Sequence, residues 1–170
     1  MNASSVRVRP AELSDVPGIA AVHIQSWRET YSGVIPDRFM SADALEARRS
    51  MWESILGRDP VPGSVAVAER GDEVVGFAFA GPADHPDATK GFAPACDLHL
   101  YSLYLLTSEQ RSGTGTALLE AVLADRPAQL WVLSSNDRAR AFYEHHRFQE
   151  DGSEFADPDI DGLVEVRMVR

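Results

Sequence analysis

The chain has 170 residues, of which 44% are hydrophobic and 25% are charged, so its length and composition are those of one ordinary globular domain. Its net charge of −10 disfavours nucleic acid and anionic membranes as partners, because binding to phosphate groups requires basic patches. The single cysteine, Cys96, excludes a disulfide framework, and no signal peptide or long apolar run is present, so we expect a cytoplasmic protein without membrane contact or bound metal.

Hydrophobic spacing and breaker residues predict the elements of the first half of the chain. Asp15 is a candidate helix N-cap before Val16 and Pro17, and apolar residues then recur at intervals of three and four. Ser41 or Asp43 is expected to cap the next helix. We predict a strand at residues 5–9, helices over residues 16–31 and 41–56, and a hairpin over residues 64–81 that turns at the sequence RGDE.

The second half of the chain alternates strands and helices. Residues 82–96 are polar and rich in proline and glycine, which predicts a long loop of a length that usually carries function. We predict strands at residues 97–106 and 127–135, helices over residues 113–125 and 136–146, and closing strands at residues 147–155 and 162–170. This order indicates one α/β (α+β) domain over residues 1–170, without internal repeats.

A pair of glycines stands where an apolar strand gives way to a helix, in the sequence TSEQRSGTGTALLEAVL. The unpaired N–H groups and dipole of a helix N-terminus form an anion site, and Gly113 and Gly115 would let a large anion approach the backbone. The turn lacks the lysine of a P-loop, and Leu118 stands where a dinucleotide-binding fingerprint requires glycine or alanine. The alternative is that the glycines only permit a tight turn.

A third motif fits the stretch from Gln110 to Gly115, whose sequence QRSGTG matches Q/R-x-x-G-x-G/A after an apolar strand. It resembles the acyl-CoA motif of the GCN5-related N-acetyltransferase (GNAT) family. The segment LWVLSSNDRARAFYEHHRF resembles the family's fifth strand and fourth helix, with six residues between Asn136 and Tyr143. HIQSWRETYSGVIPDRFM and VEVRMVR resemble its early helices and last strand, so the likeness spans essentially the whole chain. It implies a mixed, mostly antiparallel, splayed sheet of about seven strands with helices on both faces.

The resemblance implies that acetyl-CoA is the cosubstrate and that the glycine turn binds its pyrophosphate. Members of the family hold the pantetheine arm along the fourth strand, which corresponds here to the backbone of Leu103, Tyr104 and Leu105. One N–H of that strand is also expected to polarise the thioester carbonyl. The pyrophosphate is expected to meet the N–H groups of Arg111, Ser112, Gly113, Thr114, Gly115 and Thr116, with the Arg111 side chain adding positive charge or remaining an exposed turn residue.

The implied reaction moves an acetyl group to an amine by direct attack on the thioester, and the leaving thiolate then needs a proton. Tyr143 matches the family's usual acid, and a tyrosine pKa near ~10 suits protonation of a thiolate. Asn136 matches a residue that contacts the cofactor in relatives. The alternatives are a core aromatic residue for Tyr143 and a plain helix N-cap for Asn136.

The general base is less well determined by the sequence. Trp131 stands where some relatives carry a glutamate, and it cannot accept the proton. His99 matches a glutamate of other relatives and has a side chain suited to proton transfer near neutral pH, although a buried, hydrogen-bonded histidine is the alternative. Glu29 and Tyr31 are candidates for the acceptor pocket, and the loop of residues 82–94 is expected to shape it. The acceptor is either a small amine or a peptide or protein amine.

Two other functions compete with the enzyme. A non-catalytic acyl-CoA-binding or interaction module on the same fold is the main alternative, because a fold does not guarantee activity. A nucleotide-binding signalling domain is poorly supported, because the turn has no Walker lysine. Many relatives dimerise, so the chain is a candidate for homodimer formation.

One departure from the family pattern concerns the turn after the last helix. The family usually has Gly-Phe there, and this chain has Arg147 followed by Phe148. A left-handed arginine costs ~1 kcal/mol relative to glycine, so the local geometry of this turn is expected to differ.

Overall fold

The structure, a computed structural model, describes residues 5–170. Within that range seven strands form one open sheet in the order β1-β2-β3-β4-β5-β7-β6. The strands are β1 (Val6–Pro10), β2 (Ser64–Arg70), β3 (Glu73–Pro82), β4 (Leu98–Leu105), β5 (Gln129–Leu133), β6 (Gln149–Ala156) and β7 (Val164–Val169). The helices are α1 (Val16–Tyr31), α2 (Ala42–Leu56), α3 (Pro86–Thr89), α4 (Thr114–Leu123) and α5 (Asp137–His145).

This sheet and its helices confirm the predicted mixed α/β fold and the predicted order of long elements. β1 pairs antiparallel with β2, and β7 pairs antiparallel with both β5 and β6. β4 pairs parallel with β5 through His99 and Gln129. The short helix α3 is an addition, since the sequence predicts a loop there. It forms because Pro86 starts the helix and the His85 side chain accepts from the backbone N–H of Asp87 at 3.2 Å.

Asp15 is the N-cap residue of α1, as predicted, but its side chain does not cap the helix. A 3₁₀ turn precedes α1, so Asp15 has helical backbone angles and makes no side-chain cap bond. Its carboxylate instead accepts from both terminal nitrogens of Arg9 at 2.8 Å and from Glu12 N at 2.8 Å, and the Arg9 contact holds the pKa of Asp15 below its usual range. Ser41 caps α2 as predicted, because its Oγ accepts from Ala44 N at 3.2 Å.

Two compact units divide the described chain. The first comprises residues 5–79 and 102–124, and the second comprises residues 80–101 and 125–170. The single-domain assignment of residues 1–170 stays a prediction. Within residues 5–170 no helix is long and apolar enough to cross a membrane.

The core of the first unit covers both faces of its strands. On one face α1 and α2 pack on β2 and β3, where Trp52 and Phe77 are fully buried with ring centroids 5.2 Å apart. Val67 of β2 belongs to this cluster. Ala66 and Ala68 alternate with it, point to the other face and are also buried, because α4 packs against β1 and β2. The helix that follows the glycine turn is therefore fixed on the sheet.

The second unit has its core on β5 and β7. Leu130 lies opposite Met168 in the strand pairing, and both are almost completely buried. The Phe148 ring is also fully buried and lies 5.7 Å from the ring of Tyr143 on α5. Arg147 does adopt the left-handed conformation, with φ +70°, in the turn between α5 and β6. Arg147 thus adopts at this turn the left-handed conformation that glycine ordinarily provides, at the cost in free energy given above.

Candidate functional site

The glycine turn lies at the N-terminus of α4 in the first unit. Gly113 is the N-cap residue with φ +84°, and Gly115 is the second residue of the helix. Arg111 is also left-handed, with φ +61°, a conformation that costs a non-glycine residue about 1–2 kcal/mol. Left-handed residues on both sides of Ser112 bend the backbone into a concave turn of the kind that binds anions. Strain held at such a position is typical of a functional turn.

Side-chain hydrogen bonds and the buried carboxylate of Glu109 hold the glycine turn in place. Ser112 Oγ donates to the Glu109 carbonyl at 2.6 Å and lies 2.8 Å from Thr114 Oγ1. The Glu109 carboxylate is 5% exposed and accepts from Arg70 at 3.1 and 2.7 Å, and this ion pair lowers the pKa of Glu109. The sequence gives no sign of this pair, because the two residues are 39 positions apart and neither belongs to a motif.

Glu29, a candidate for the acceptor pocket, contacts Thr107. Thr107 is the first residue of the 3₁₀ turn (Thr107–Glu109) that lies between β4 and the glycine turn. Its Oε2 accepts from Thr107 N at 2.8 Å and from Thr107 Oγ1 at 2.7 Å, while Oε1 accepts from Gln25 at 3.1 Å. Tyr31, the other candidate, lies at the end of α1 with its ring 5.5 Å from that of Trp27. The structure thus gives Glu29 a positioning contact, and its acceptor role stays a prediction.

A cavity of about 370 Å³ opens beside the glycine turn. Its lining combines Arg70 and residues of the turn with small and apolar residues of β1 and α4. Its lining residues all belong to the first unit: Ser5, Val6, Val8, Arg70, Ser112, Gly113, Thr114 and Ala117.

The strand segment predicted to hold pantetheine, Leu103–Leu105 of β4, is half-buried. It runs close to β3 at Gly76, where a Cβ would lie 2.4 Å from Leu105 Cδ2 and 3.0 Å from the Tyr104 carbonyl oxygen. The Tyr104 ring stacks on His23 of α1 at 5.1 Å between centroids. Both contacts fix the position of this part of β4.

His99 lies on β4 in the second unit and is 3% exposed. Its Nδ1 is 3.3 Å from Gln129 Nε2, and its ring lies 4.6 Å from that of Tyr101. Burial, followed by the charges of Lys90 and Arg167, lowers the pKa of His99 to about 3. These surroundings are those of a satisfied buried histidine, and such a low pKa argues against strong basicity. The base role stays a prediction.

Acidification is expected to destabilise the protein through its buried histidines. The pKa values of His23 and His99 are both about 3, against 6.5 for the ordinary side chain, so the unfolded chain binds more protons below pH 6.5. The free energy of unfolding should fall between pH 6.5 and 4.5 by up to about 1.4 kcal/mol per pH unit for each histidine. Urea unfolding at several pH values measures this, and His99→Gln should flatten the slope. The control is His145→Gln, at an exposed position, and an unchanged slope in His99→Gln would contradict the assignment.

Asn136 and Tyr143 occupy the start and the last turn of α5. Asn136 Oδ1 accepts from Ala139 N at 3.2 Å, so the residue is the helix N-cap. Tyr143 is 9% exposed, and its ring lies 5.3 and 5.7 Å from the rings of Phe142 and Phe148. Asn136 is thus a helix N-cap and Tyr143 is a packed aromatic residue, as the alternatives in the sequence analysis describe. Both arrangements are compatible with the cofactor and acid roles, which stay predictions.

The loop of residues 82–94 is anchored on the β5–β7 face of the second unit. Trp131 Nε1 donates to the Ala88 carbonyl at 2.7 Å, and Arg167 donates to the Ala93 carbonyl at 2.7 Å. Lys90 forms an ion pair with Glu165. Trp131, which stands where some relatives carry a glutamate, thus has a structural task in holding this loop.

Comparison with known proteins agrees with the geometry. The family model described as "Acetyltransferase (GNAT) domain" matches residues 62–150. The probable N-acetyltransferase Rv2775 of Mycobacterium tuberculosis is 29% identical over 96% of this chain and 91% of its own. The uncharacterised N-acetyltransferase YuaI of Bacillus subtilis is 35% identical over 89% of this chain and 86% of its own. The PaiA N-acetyltransferase of Thermoplasma acidophilum, solved with coenzyme A, has a TM-score of 0.70 at 16% identity, over 96% of this chain and 98% of its own.

Proposed function

Since this chain belongs to the GNAT acetyltransferase family and is an N-acetyltransferase, we propose that it transfers the acetyl group of acetyl-CoA directly to a primary amine. The observation that carries the proposal is the left-handed turn of Arg111 and Gly113 at the N-terminus of α4. The coenzyme A bound to the PaiA neighbour supports the same cosubstrate. The single cysteine and the acidic charge fit a cytoplasmic enzyme without membrane or nucleic-acid partners.

The proposed pyrophosphate cradle consists of the backbone N–H groups of residues 111–116. A helix N-terminus carries about half a positive charge, and the Arg111 side chain adds a full one. This local positive charge is needed to attract a pyrophosphate, because the chain as a whole carries a net charge of −10. The Glu109–Arg70 and Glu29–Thr107 contacts hold the turn before the ligand arrives, which lowers the entropic cost of binding.

The proposed chemistry needs a hydrogen-bond donor, an acid and a neutral amine. A backbone N–H within Leu103–Leu105 of β4 would donate to the thioester carbonyl as negative charge develops on its oxygen. The amine nitrogen forms a bond to the acetyl carbon while the carbon–sulfur bond breaks. Tyr143 gives its hydroxyl proton to the sulfur, and the amine loses its surplus proton to a base. Asn136, as the first residue before α5, is proposed to contact the cofactor.

His99 remains the proposed base, and the pH profile of turnover tests it. An imidazole whose pKa is about 3 stays neutral from pH 5 to 9, so a rate limited by it is flat over that range once the amine's own titration is taken into account. The weak basicity of His99 and Trp131 at the position of a family glutamate are the two features that would suit a non-catalytic acyl-CoA-binding module. The GNAT domain and the relatives named as N-acetyltransferases favour the enzyme over this alternative.

A comparison of CoA with pantetheine, which lacks the pyrophosphate, tests the cradle. Valine is poorly tolerated at φ +84°, so Gly113→Val should distort the turn and remove one or two charge-assisted hydrogen bonds. We expect calorimetry to show CoA binding weakened by about 10- to 100-fold and pantetheine binding unchanged.

The matched control for that experiment is Gly71→Val. Gly71 also has a positive φ, +63°, but it lies in the turn between β2 and β3. This variant should carry similar backbone strain and keep the wild-type preference for CoA over pantetheine. Equal loss of preference in both variants would contradict the cradle at residues 111–116.

A further inference from the structure

The first unit contains a half-buried guanidinium that no acid neutralises. Arg48 lies on α2, its Nε is buried without a hydrogen-bond partner, and within residues 5–170 it forms no ion pair. Burial lowers the pKa of Arg48, and no carboxylate offsets this effect. The side chain of the next residue, Arg49, is 43% exposed and lies 3.8 Å from Glu46. A charge withdrawn from water without an anionic partner is unfavourable, so Arg48 is a place where an anion would be stabilising.

A second buried donor without a partner lies beside it. Trp27 Nε1 on α1 makes no hydrogen bond with any of the described residues, and Arg48 Cζ lies 5.3 Å from the centroid of the Trp27 ring. Buried indole N–H groups ordinarily find an acceptor. These two neighbouring side chains each hold a donor without an acceptor, and one of them is charged, which suits an acceptor that carries a negative charge.

The walls around these donors are aromatic. The rings of Tyr31 and Tyr104 lie 5.5 and 6.4 Å from that of Trp27, and His23 stacks on Tyr104 at 5.1 Å. His23 is neutral at pH 7, because burial and then the charge of Arg48 lower its pKa to about 3. Arg48 thus supplies the positive charge of this cluster, which consists of His23, Trp27, Tyr31, Arg48 and Tyr104.

We propose that this cluster binds the carboxylate of the acceptor, so that the preferred acceptor is a small amine of the amino-acid class. A carboxylate carries one negative charge and has enough lone pairs to accept from both Arg48 Nε–H and Trp27 Nε1–H. Tyr104 joins the cluster to the strand whose backbone is proposed to meet the thioester. The inference rests on the proposed acetyl transfer and specifies its acceptor.

Matched acceptors test the carboxylate site. We would measure kcat/KM from CoA-thiol release for glycine, methionine and phenylalanine, each beside its primary carboxamide. The wild type should prefer the carboxylate, and Arg48→Met should reduce the ratio of carboxylate to carboxamide by about 10-fold or more, the scale of one charge-assisted hydrogen bond. Comparing ratios between enzymes cancels the different amine pKa values. Arg49→Met is the control and should keep the wild-type ratio.

Thermal unfolding separates binding from a structural role. Arg48→Met should unfold at the same temperature as the wild type or higher, because it removes an unpaired half-buried charge. A lower unfolding temperature together with an unchanged ratio would overturn the inference. CoA release with amines that lack a carboxylate, at rates equal to or above those of the amino acids, would overturn the carboxylate site and leave acetyl transfer standing. No CoA release with any acceptor would overturn both.

Discussion

Replacing Tyr143 with phenylalanine is expected to slow CoA release by about 100-fold or more while acetyl-CoA binding stays within a few-fold of wild type. The magnitude is that of a lost general acid. Phenylalanine keeps the ring that packs against Phe142 and Phe148, so the variant should fold normally. The measurement is kcat with the fastest amine acceptor, beside calorimetric binding of acetyl-CoA to the same preparation.

Tyr101→Phe is the control for this loss. Tyr101 donates its hydroxyl to the Pro82 carbonyl, so the substitution removes a tyrosine hydroxyl of known structural use. It should change kcat by only a few-fold. A Tyr143→Phe enzyme that turns over at the rate of Tyr101→Phe would show that another group protonates the thiolate, and Tyr143 would then be a core aromatic residue.

Gly76→Val is expected to lower the free energy of unfolding by about 1–3 kcal/mol, the cost of overpacking a filled interior. A Cβ at this buried position would lie 2.4 Å from Leu105 Cδ2 and 3.0 Å from the Tyr104 carbonyl oxygen. Because the backbone of Tyr104 and Leu105 is proposed to hold pantetheine, a shifted β4 should also weaken pantetheine binding. Urea unfolding and calorimetry measure the two effects.

A double variant identifies the clash that causes this loss. In Gly76→Ala the closest contact is the end of the Leu105 side chain, which can move or be removed. Gly76→Ala combined with Leu105→Ala should therefore be more stable than the sum of the single effects predicts. If the effects of Gly76→Ala and Leu105→Ala on the free energy of unfolding were additive, the clash with Leu105 would be ruled out. A Gly76→Val protein of wild-type stability would likewise rule out steric contact between β3 and β4 as the reason for glycine at this position.

Most of the fold follows from local sequence signals. Alternation in SVAVAERGDEVVGFAFAG predicts the β2–β3 hairpin, and the left-handed Gly71 stands in its turn. Ser41 caps α2, and Gly113 stands at the start of α4, because side-chain and backbone preferences at helix ends act within a few residues. These elements need no knowledge of distant contacts.

The missed features depend on residues far apart in the chain. Asp15 is drawn away from the cap by the guanidinium of Arg9, which itself also binds Glu69. The Arg70–Glu109 pair spans 39 positions, and the 3.3 Å contact of His99 with Gln129 spans 30. Sequence spacing cannot show such pairs, because folding alone brings the partners together.

The same limit applies to the candidate site. The sequence motif indicates the glycine turn. That Arg48 forms no ion pair with any residue in 5–170, and that its Nε has no hydrogen-bond partner there, is visible only once its neighbours are placed. The burial of His99 likewise decides its pKa, and the amino-acid type alone suggests a base near neutrality. The type of a residue predicts which reactions its side chain can take part in. Its burial and its partners determine its pKa, and therefore which of those reactions it performs.

Acetyl transfer itself is tested most directly by the mass of the product. The wild-type protein would be incubated with acetyl-CoA and amino acids, their carboxamides, polyamines and short peptides, with released thiol and acetylated amine quantified together. We expect one N-acetylated product for each CoA released, with the highest rate for an acceptor that carries a carboxylate. CoA release without any acetylated amine, or acetyl-CoA binding without release, would contradict it.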